Sequence, residues 1–415
     1  MSSVSEVASK RVFLPAFLLV LGPGLMVMLA DTDAGSIVTA AQSGARWGYR
    51  LLLLQLVLVP ILYLVMELTV RLGVATGKGH AELIREHFGA GWAYLSVGTL
   101  LVSAVGALVT EFAGVAGIGH LFGLPAPATV IPAAAALILL VATGSYRRVE
   151  IVGITLGLFE LAFIGAALAA RPHPRAIAAG LASTHSYTNS GYLALVAANV
   201  GAVVMPWMVF YQQGAVVEKR LRPRDLPGAR LDTALGAVVT QIVMAAVLVA
   251  TAAVLHGGHD HALSSVADLS AALTPALGHQ AARYVLALAV GGAALVASIV
   301  VSLALAWAVA ETLGKPRSLD DSPRGAPLFC GLFTVSVVAG AALVLTSSSL
   351  VRLSIEVEIL NALLLPLVLG FLALLAFRVL PHPYRPGRRR RAALAGVIGA
   401  VTAIGLLWVG LALGL

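Results

Sequence analysis

The sequence predicts an all-α integral membrane protein of eleven transmembrane helices, built as two inverted repeats of five plus one extra helix. Three observations carry that expectation. Of 415 residues, 59% are hydrophobic and 11% charged, and mean hydropathy is +0.95, far from the makeup of a soluble domain. Long apolar runs recur along the chain, near the roughly 20 residues a helix needs to cross a bilayer. Finally, the first and sixth runs are interrupted in mid-span.

The runs lie at about 12–45, 49–73, 93–120, 128–144, 151–170, 191–217, 231–256, 281–312, 324–348, 350–378 and 392–414. The first follows Lys10 and Arg11. It is too long for a signal peptide and has no small-x-small cleavage site, so it reads as a retained helix. Assigning loops alternately to two sides puts 21 of 27 basic residues on one side, leaving Arg46, Arg50, Arg171, Arg175, Arg283 and Arg352 on the other. The positive-inside rule then places the N-terminus in the cytoplasm of a bacterial-type inner membrane and the C-terminus outside.

Composition also excludes some functions. A single cysteine, Cys330, rules out an internal disulfide framework and a thiolate metal site. The net charge of +8 sits in short loops between apolar runs, so it reflects topology and not nucleic-acid binding. The spans hold no nucleophile–base pair or histidine cluster, which argues against an enzyme.

Asp31-Thr32-Asp33-Ala34-Gly35-Ser36 breaks the first run. Gly201 and then Met205-Pro206 break the sixth, where proline removes a backbone donor. Matching breaks in two halves mark an inverted-repeat transporter with its substrate at the midplane. A kink alone would explain Pro206. It does not explain two acids beside a glycine, since a mid-membrane charge costs at least about 2.5 kcal/mol.

Several stretches together resemble the Nramp family of divalent metal ion transporters. Gly22-Pro23-Gly24 followed by Ala30 to Ser36 is similar to that family's first helix, which ends in Asp-Pro-Gly-Asn. Arg71-Leu72-Gly73-Val74-Ala75-Thr76-Gly77-Lys78, with Ala81-Glu82-Leu83, resembles its second helix and following loop. Thr110-Glu111-Phe112 resembles its third-helix Thr-Asp, Val204-Met205-Pro206-Trp207 its sixth-helix Met-Pro-His, and Leu365-Pro366 the end of its tenth-helix motif.

The resemblance implies a LeuT-type fold and a metal site of Asp33, Met205 and the carbonyl of Ala202, with Ser36 where the family has asparagine. An aspartate suits any divalent cation. A thioether serves Mn²⁺, Fe²⁺ or softer ions and is of no use to Mg²⁺ or Ca²⁺; a lone methionine is otherwise a flexible core filler. Counting back from Leu365-Pro366 puts Glu358 where the family has a glutamine that approaches the metal.

The departures are as informative. Ala34 replaces the motif proline and Ser36 its asparagine, which loosens the turn and widens the site. Gly114 stands at the family's third-helix glutamate and Trp207 at its sixth-helix histidine, so the proton route of typical members has lost two titrating groups. A related clade with magnesium transport activity shows such losses.

Asp31, Glu111, Glu160, Glu356 and Glu358 also lie in apolar segments, where an ionisable group is a pathway residue by default. Asp31, Glu111 and Trp207 are therefore assigned to the pathway. An i, i+4 pairing would join Arg352 to Glu356 and leave Glu358 free. Glu160 and Glu67 are expected to be structural. His256-Gly257-Gly258-His259-Asp260-His261 could gather metal ions but reads as a solvated loop. Arg388 to Arg391 should hold topology against anionic lipid.

Residues 1–170 would form the first repeat, 171–380 the second, and 381–415 a basic loop with the last helix. The expected function is import of a divalent ion by alternating access, Mn²⁺ first with Mg²⁺ or Fe²⁺ close, and with classical proton coupling altered or absent. No cofactor is expected beyond the transported ion. The expected partners are that ion and the bilayer, with no nucleic acid and no obligate protein. An amino-acid or amine carrier of the same architecture is the alternative.

Overall fold

A computed structural model describes residues 22–183, 189–256, 263, 265–321, 323–346 and 350–412. Lys10, Arg11, the first part of the first run and most of the 256–261 histidine loop lie outside them. All regular structure among the described residues is helical, with no strand.

Thr32 and Asp33 divide the first segment into α1 (Pro23–Asp31) and α2 (Ala34–Trp47). Asp33 is extended (φ −73°, ψ 176°) and caps α2, its carboxylate accepting the Ser36 N–H; a short acidic side chain serves this purpose well. Then follow α3 (Leu52–Thr76), α4 (His80–Phe88), α5 (Ala90–Leu121) and α6 (Ala126–Ala142). The fifth segment is α7 (Tyr146–Gly157), a tighter 3₁₀ stretch at Leu158–Leu161, and α8 (Ala162–Ala169).

Beyond α9 (Pro174–Ala182), the second break separates α10 (Ser190–Val203) from α11 (Pro206–Glu218). Val204 and Met205 are extended between them. Pro206 sits at the first position of α11, where its missing N–H is harmless, and its ring steers Met205 away from helical geometry. The chain continues as α12 (Leu226–Leu255), α13 (Val266–Leu277), α14 (His279–Leu313), α15 (Pro327–Val344), α16 (Leu350–Arg378) and α17 (Arg388–Ala412).

Nine helical stretches among the described residues are long and apolar enough to cross a membrane. Eleven runs were expected, and the difference has local causes. The stretch Ala34–Thr76 contains α2 and α3 in near continuity, so parts of two runs count as one; α6, at 17 residues, falls just short. Helices α4, α9 and α13 had no counterpart among the apolar runs. Two of them, α4 and α9, are short and amphipathic, the kind of pattern that a search for unbroken apolar runs passes over.

The two broken helices lie at the centre. Helix α12 packs along α1 and α2, α14 along α5, and α10 along α16. Small residues permit these approaches. A Cβ on Gly201 would collide with the Glu358 carbonyl of α16, one on Gly44 with the Leu248 carbonyl of α12, and one on Gly292 with the Leu156 carbonyl of α7. Large apolar side chains such as Leu139, Leu168, Val335 and Leu406 point outward, as in a protein solvated by lipid.

The end where α1 begins is held by polar contacts. Asp232 of α12 accepts the backbone N–H groups of Gly22 (3.2 Å), Gly24 (2.7 Å) and Leu25 (3.2 Å), an arrangement favoured by the positive N-terminus of a helix. Beside it Lys219 pairs with Glu150 at 2.9 Å. Glu67, expected to be structural, is nearly fully buried and meets Arg71 at 2.5 Å, Arg230 at 2.6 Å and Arg390 at 3.4 Å. Arg390 belongs to the basic run at the start of α17, so this carboxylate ties the last helix to α3 and α12.

Candidate metal-binding site

At the first break Asp33 is fully buried; one of its oxygens accepts the Ser36 N–H at 2.7 Å and the other has no hydrogen bond of sound geometry. The Ser36 hydroxyl donates to the Ala202 carbonyl at 3.1 Å, joining the first break to the last turn of α10. That carbonyl belongs to a helix end, where intrahelical partners run out and oxygens become available as ligands. Three of the residues singled out from sequence, Asp33, Ser36 and Ala202, are thus brought together.

Met205 occupies the second break, fully buried, and its sulfur accepts the Trp207 indole N–H at 3.1 Å. Trp207, assigned to the pathway from sequence, is itself fully buried and lies against this thioether.

Glu358 reaches the first break from α16. A Cβ placed on Gly35 would have Glu358 Oε1 at 2.7 Å, Asp33 Oδ1 at 3.4 Å and Thr110 Oγ1 at 3.6 Å, so three oxygens, from α16, the break itself and α5, crowd one glycine. The absence of a side chain at position 35 makes room for them. The other oxygen of Glu358 accepts Asn361 Nδ2 at 3.0 Å, and Asn361 Oδ1 accepts the Ser103 hydroxyl at 2.6 Å. Sequence reading missed this Asn361–Ser103 support; its only sequence signal was an amide three residues after the acid, on the same helical face. As expected, Arg352 pairs with Glu356, at 2.8 Å and exposed, leaving Glu358 free of it.

Glu111 accepts the backbone N–H of Ala34 at 3.2 Å, bracing the start of α2. Asp31, on the other side of the break, is buried, and neither of its oxygens has a hydrogen bond of sound geometry. The same holds for Glu160 of the 3₁₀ stretch. None of the ion pairs among the described residues involves Asp31, Asp33, Glu111, Glu160 or Glu358. Nor do three His, Cys, Asp or Glu side chains among those residues converge to ligating distance. Candidate donors at the two breaks are thus of mixed type: carboxylates, a hydroxyl and a helix-end carbonyl around the first, and the Met205 thioether at the second.

Two helices broken at mid-span, facing each other across buried carboxylates, define an inverted-repeat membrane fold of the LeuT type. Solved structures share it. The Eremococcus coleocola manganese transporter superposes with a TM-score of 0.77 over 98% of this chain and 89% of that one, at 18% identity. MhsT, solved in complex with L-phenylalanine, superposes with a TM-score of 0.61 over 92% and 97%, at 16% identity.

The sequence profile of the Nramp (Natural resistance-associated macrophage protein-like) family matches residues 24–410, and this chain belongs to that family. Among curated relatives, the divalent metal cation transporter MntH of Listeria innocua is 26% identical over 284 residues, 65% of this chain and 62% of that protein. MntH 1 of Pseudomonas aeruginosa is 31% identical over 289 residues, 64% and 63% respectively. The match therefore spans rather less than two thirds of these relatives' length.

Proposed function

We propose that this protein carries a divalent metal ion into the cytoplasm by alternating access, with Mn²⁺ as the first substrate and Mg²⁺ or Fe²⁺ close behind. One observation carries the reading. The buried Asp33 keeps a carboxylate oxygen with no hydrogen bond of sound geometry and no ion pair, beside a hydroxyl–carbonyl bridge between the two breaks. A bare buried carboxylate is costly unless a cation meets it. The relatives named as divalent metal cation transporters support the same class.

In this reading Asp33, Ser36, the Ala202 carbonyl and Met205 hold the ion, and Glu358 supplies a second carboxylate. The ion lies between half-helices that tilt to open one side and then the other. The N-terminus is cytoplasmic, so the end latched by Asp232 faces the cell interior, and the C-terminus is outside. Gly114 and Trp207 stand where typical family members carry titrating groups, so metal moves without stoichiometric proton symport. An amino-acid carrier is disfavoured, because Asp33 would repel a substrate carboxylate.

The test is Asp33→Ala in purified protein. Mn²⁺ uptake into proteoliposomes should be lost, and calorimetry should lose the ion held at Asp33, while expression and helical content stay normal. Uptake equal to wild type would remove the metal-carrier reading.

A further inference from the structure

Five buried carboxylates surround the first break, and one divalent ion at Asp33 balances at most two of those charges. Two of them, Asp31 and Glu160, form a group of their own. Asp31 is the last residue of α1, at the negative end of a helix whose final carbonyls lack intrahelical partners. An acid there is unfavourable unless a cation sits against it.

Glu160 approaches from the fifth segment. Its backbone lies in the 3₁₀ stretch Leu158–Leu161, and mid-helix tightening of this kind often accompanies function. The approach depends on two glycines of α7. Gly153 lies against Met26, and Gly157 lies so close to Leu29 that a Cβ would come within 2.9 Å of its Cδ1. The Thr32 and Thr240 hydroxyls lie between the two acids, 2.5 Å from each other, with Glu160 beside Thr32 and Asp31 beside Thr240. All four carboxylate oxygens of Asp31 and Glu160 are buried without a hydrogen bond of sound geometry.

We infer that Asp31 and Glu160, with the Thr32 and Thr240 hydroxyls, form a second divalent-cation site, one step along the pathway from Asp33. This rests on the reading of Asp33 as the first site. The two carboxylates neutralise one divalent ion. Every donor is oxygen, and the half-helix end adds its carbonyls, a set that suits Mn²⁺ or Mg²⁺ and gives no preference to softer ions. Asp31 is thereby a ligand at a release station, and Glu160 its partner.

Crystals soaked in Mn²⁺ test this directly through anomalous difference maps, with electron paramagnetic resonance counting bound Mn²⁺ in solution. Wild type should bind two ions per chain, one at Asp33 and one between Asp31 and Glu160. Glu160→Gln keeps the shape and should lose the second ion while retaining the first; Asp33→Ala should do the reverse. If Glu160→Gln misfolds, Thr240→Val provides the comparison and should weaken the second ion alone. A single ion at Asp33 in wild type, unaffected by Glu160→Gln or Thr240→Val, would overturn the second site and leave the first intact. An Asp33→Ala variant that still holds the first ion would instead count against the first site.

Discussion

Gly114 of α5 lies directly against Ala34 at the start of α2: a Cβ on Gly114 would stand 2.8 Å from that of Ala34. These are two of the positions at which the chain departs from the Nramp pattern, and they are in contact. With Ala34 in place, a side chain at 114 has no room unless α5 moves away from α2, so a glutamate at 114 cannot be restored by one change.

Proton coupling should reflect this. Proteoliposomes loaded with a pH-sensitive dye should show no stoichiometric internal acidification when Mn²⁺ or Mg²⁺ is added outside. Gly114→Glu should not create it, and should destabilise the protein by about 1–3 kcal/mol through overpacking. Glu111 is the remaining candidate relay. Acidification in wild type that vanishes in Glu111→Gln would show the prediction wrong and identify Glu111 as the carrier.

Ion preference should respond in opposite directions to two changes around one sulfur. Met205→Ala should weaken Mn²⁺ and Cd²⁺ uptake far more than Mg²⁺ uptake, since only softer ions gain from a thioether. Trp207→Phe removes the indole N–H that the sulfur accepts and should shift competition toward Cd²⁺. Equal losses for all three ions in Met205→Ala would mean that the residue only packs.

Gly201→Ala should be severe although it adds a single methyl. The new Cβ would collide with the backbone of α16 at Glu358 and Ala362, and backbone cannot turn aside as a side chain can. Loss of Mn²⁺ uptake together with a lowered unfolding temperature is expected. Wild-type values for both would show that α10 and α16 tolerate separation.

His80, at the start of α4 and outside the spanning stretches, is buried, and its Nδ1 lies 3.0 Å from Gln213 Oε1. Burial lowers its pKa to about 4, against a smaller opposing effect from Gln213. The unfolded chain therefore takes up a proton near pH 6.5 that the folded one refuses until about pH 4, so stability falls as pH drops through that window. The contribution is about 3 kcal/mol. Thermal unfolding in detergent from pH 7 to pH 4 should show a smaller decline for His80→Gln than for wild type; parallel curves would refute the assignment.

Both breaks were legible in the sequence because acids and a proline stand out in an apolar run, and Asp33, Ser36 and Ala202 do meet. Glu358 could be placed only by counting along the chain, and the structure sets it over Gly35. Glu160, expected to be structural, gains a ligand's role only in the proposal above, and the sequence offers no sign of one. A single acid with no motif around it carries no local signal, and its meeting with Asp31 depends on how Gly153 and Gly157 fit the side chains of α1. Helices α4 and α9 are too amphipathic, and α13 too short, to stand out as membrane-length apolar runs. The histidines beyond His256 lie outside the described residues.

Asp232 holds three backbone N–H groups at the start of α1, each a bond to a charged group of the kind that contributes about 1.5–3 kcal/mol. Because all three end on one carboxylate, any movement of α1 away from α12 must break them together, so in the proposed transport cycle this end of the protein would open as an all-or-none event. On that reading Asp232→Asn would change the rate of transport while leaving the choice of metal, set at Asp33, as it is.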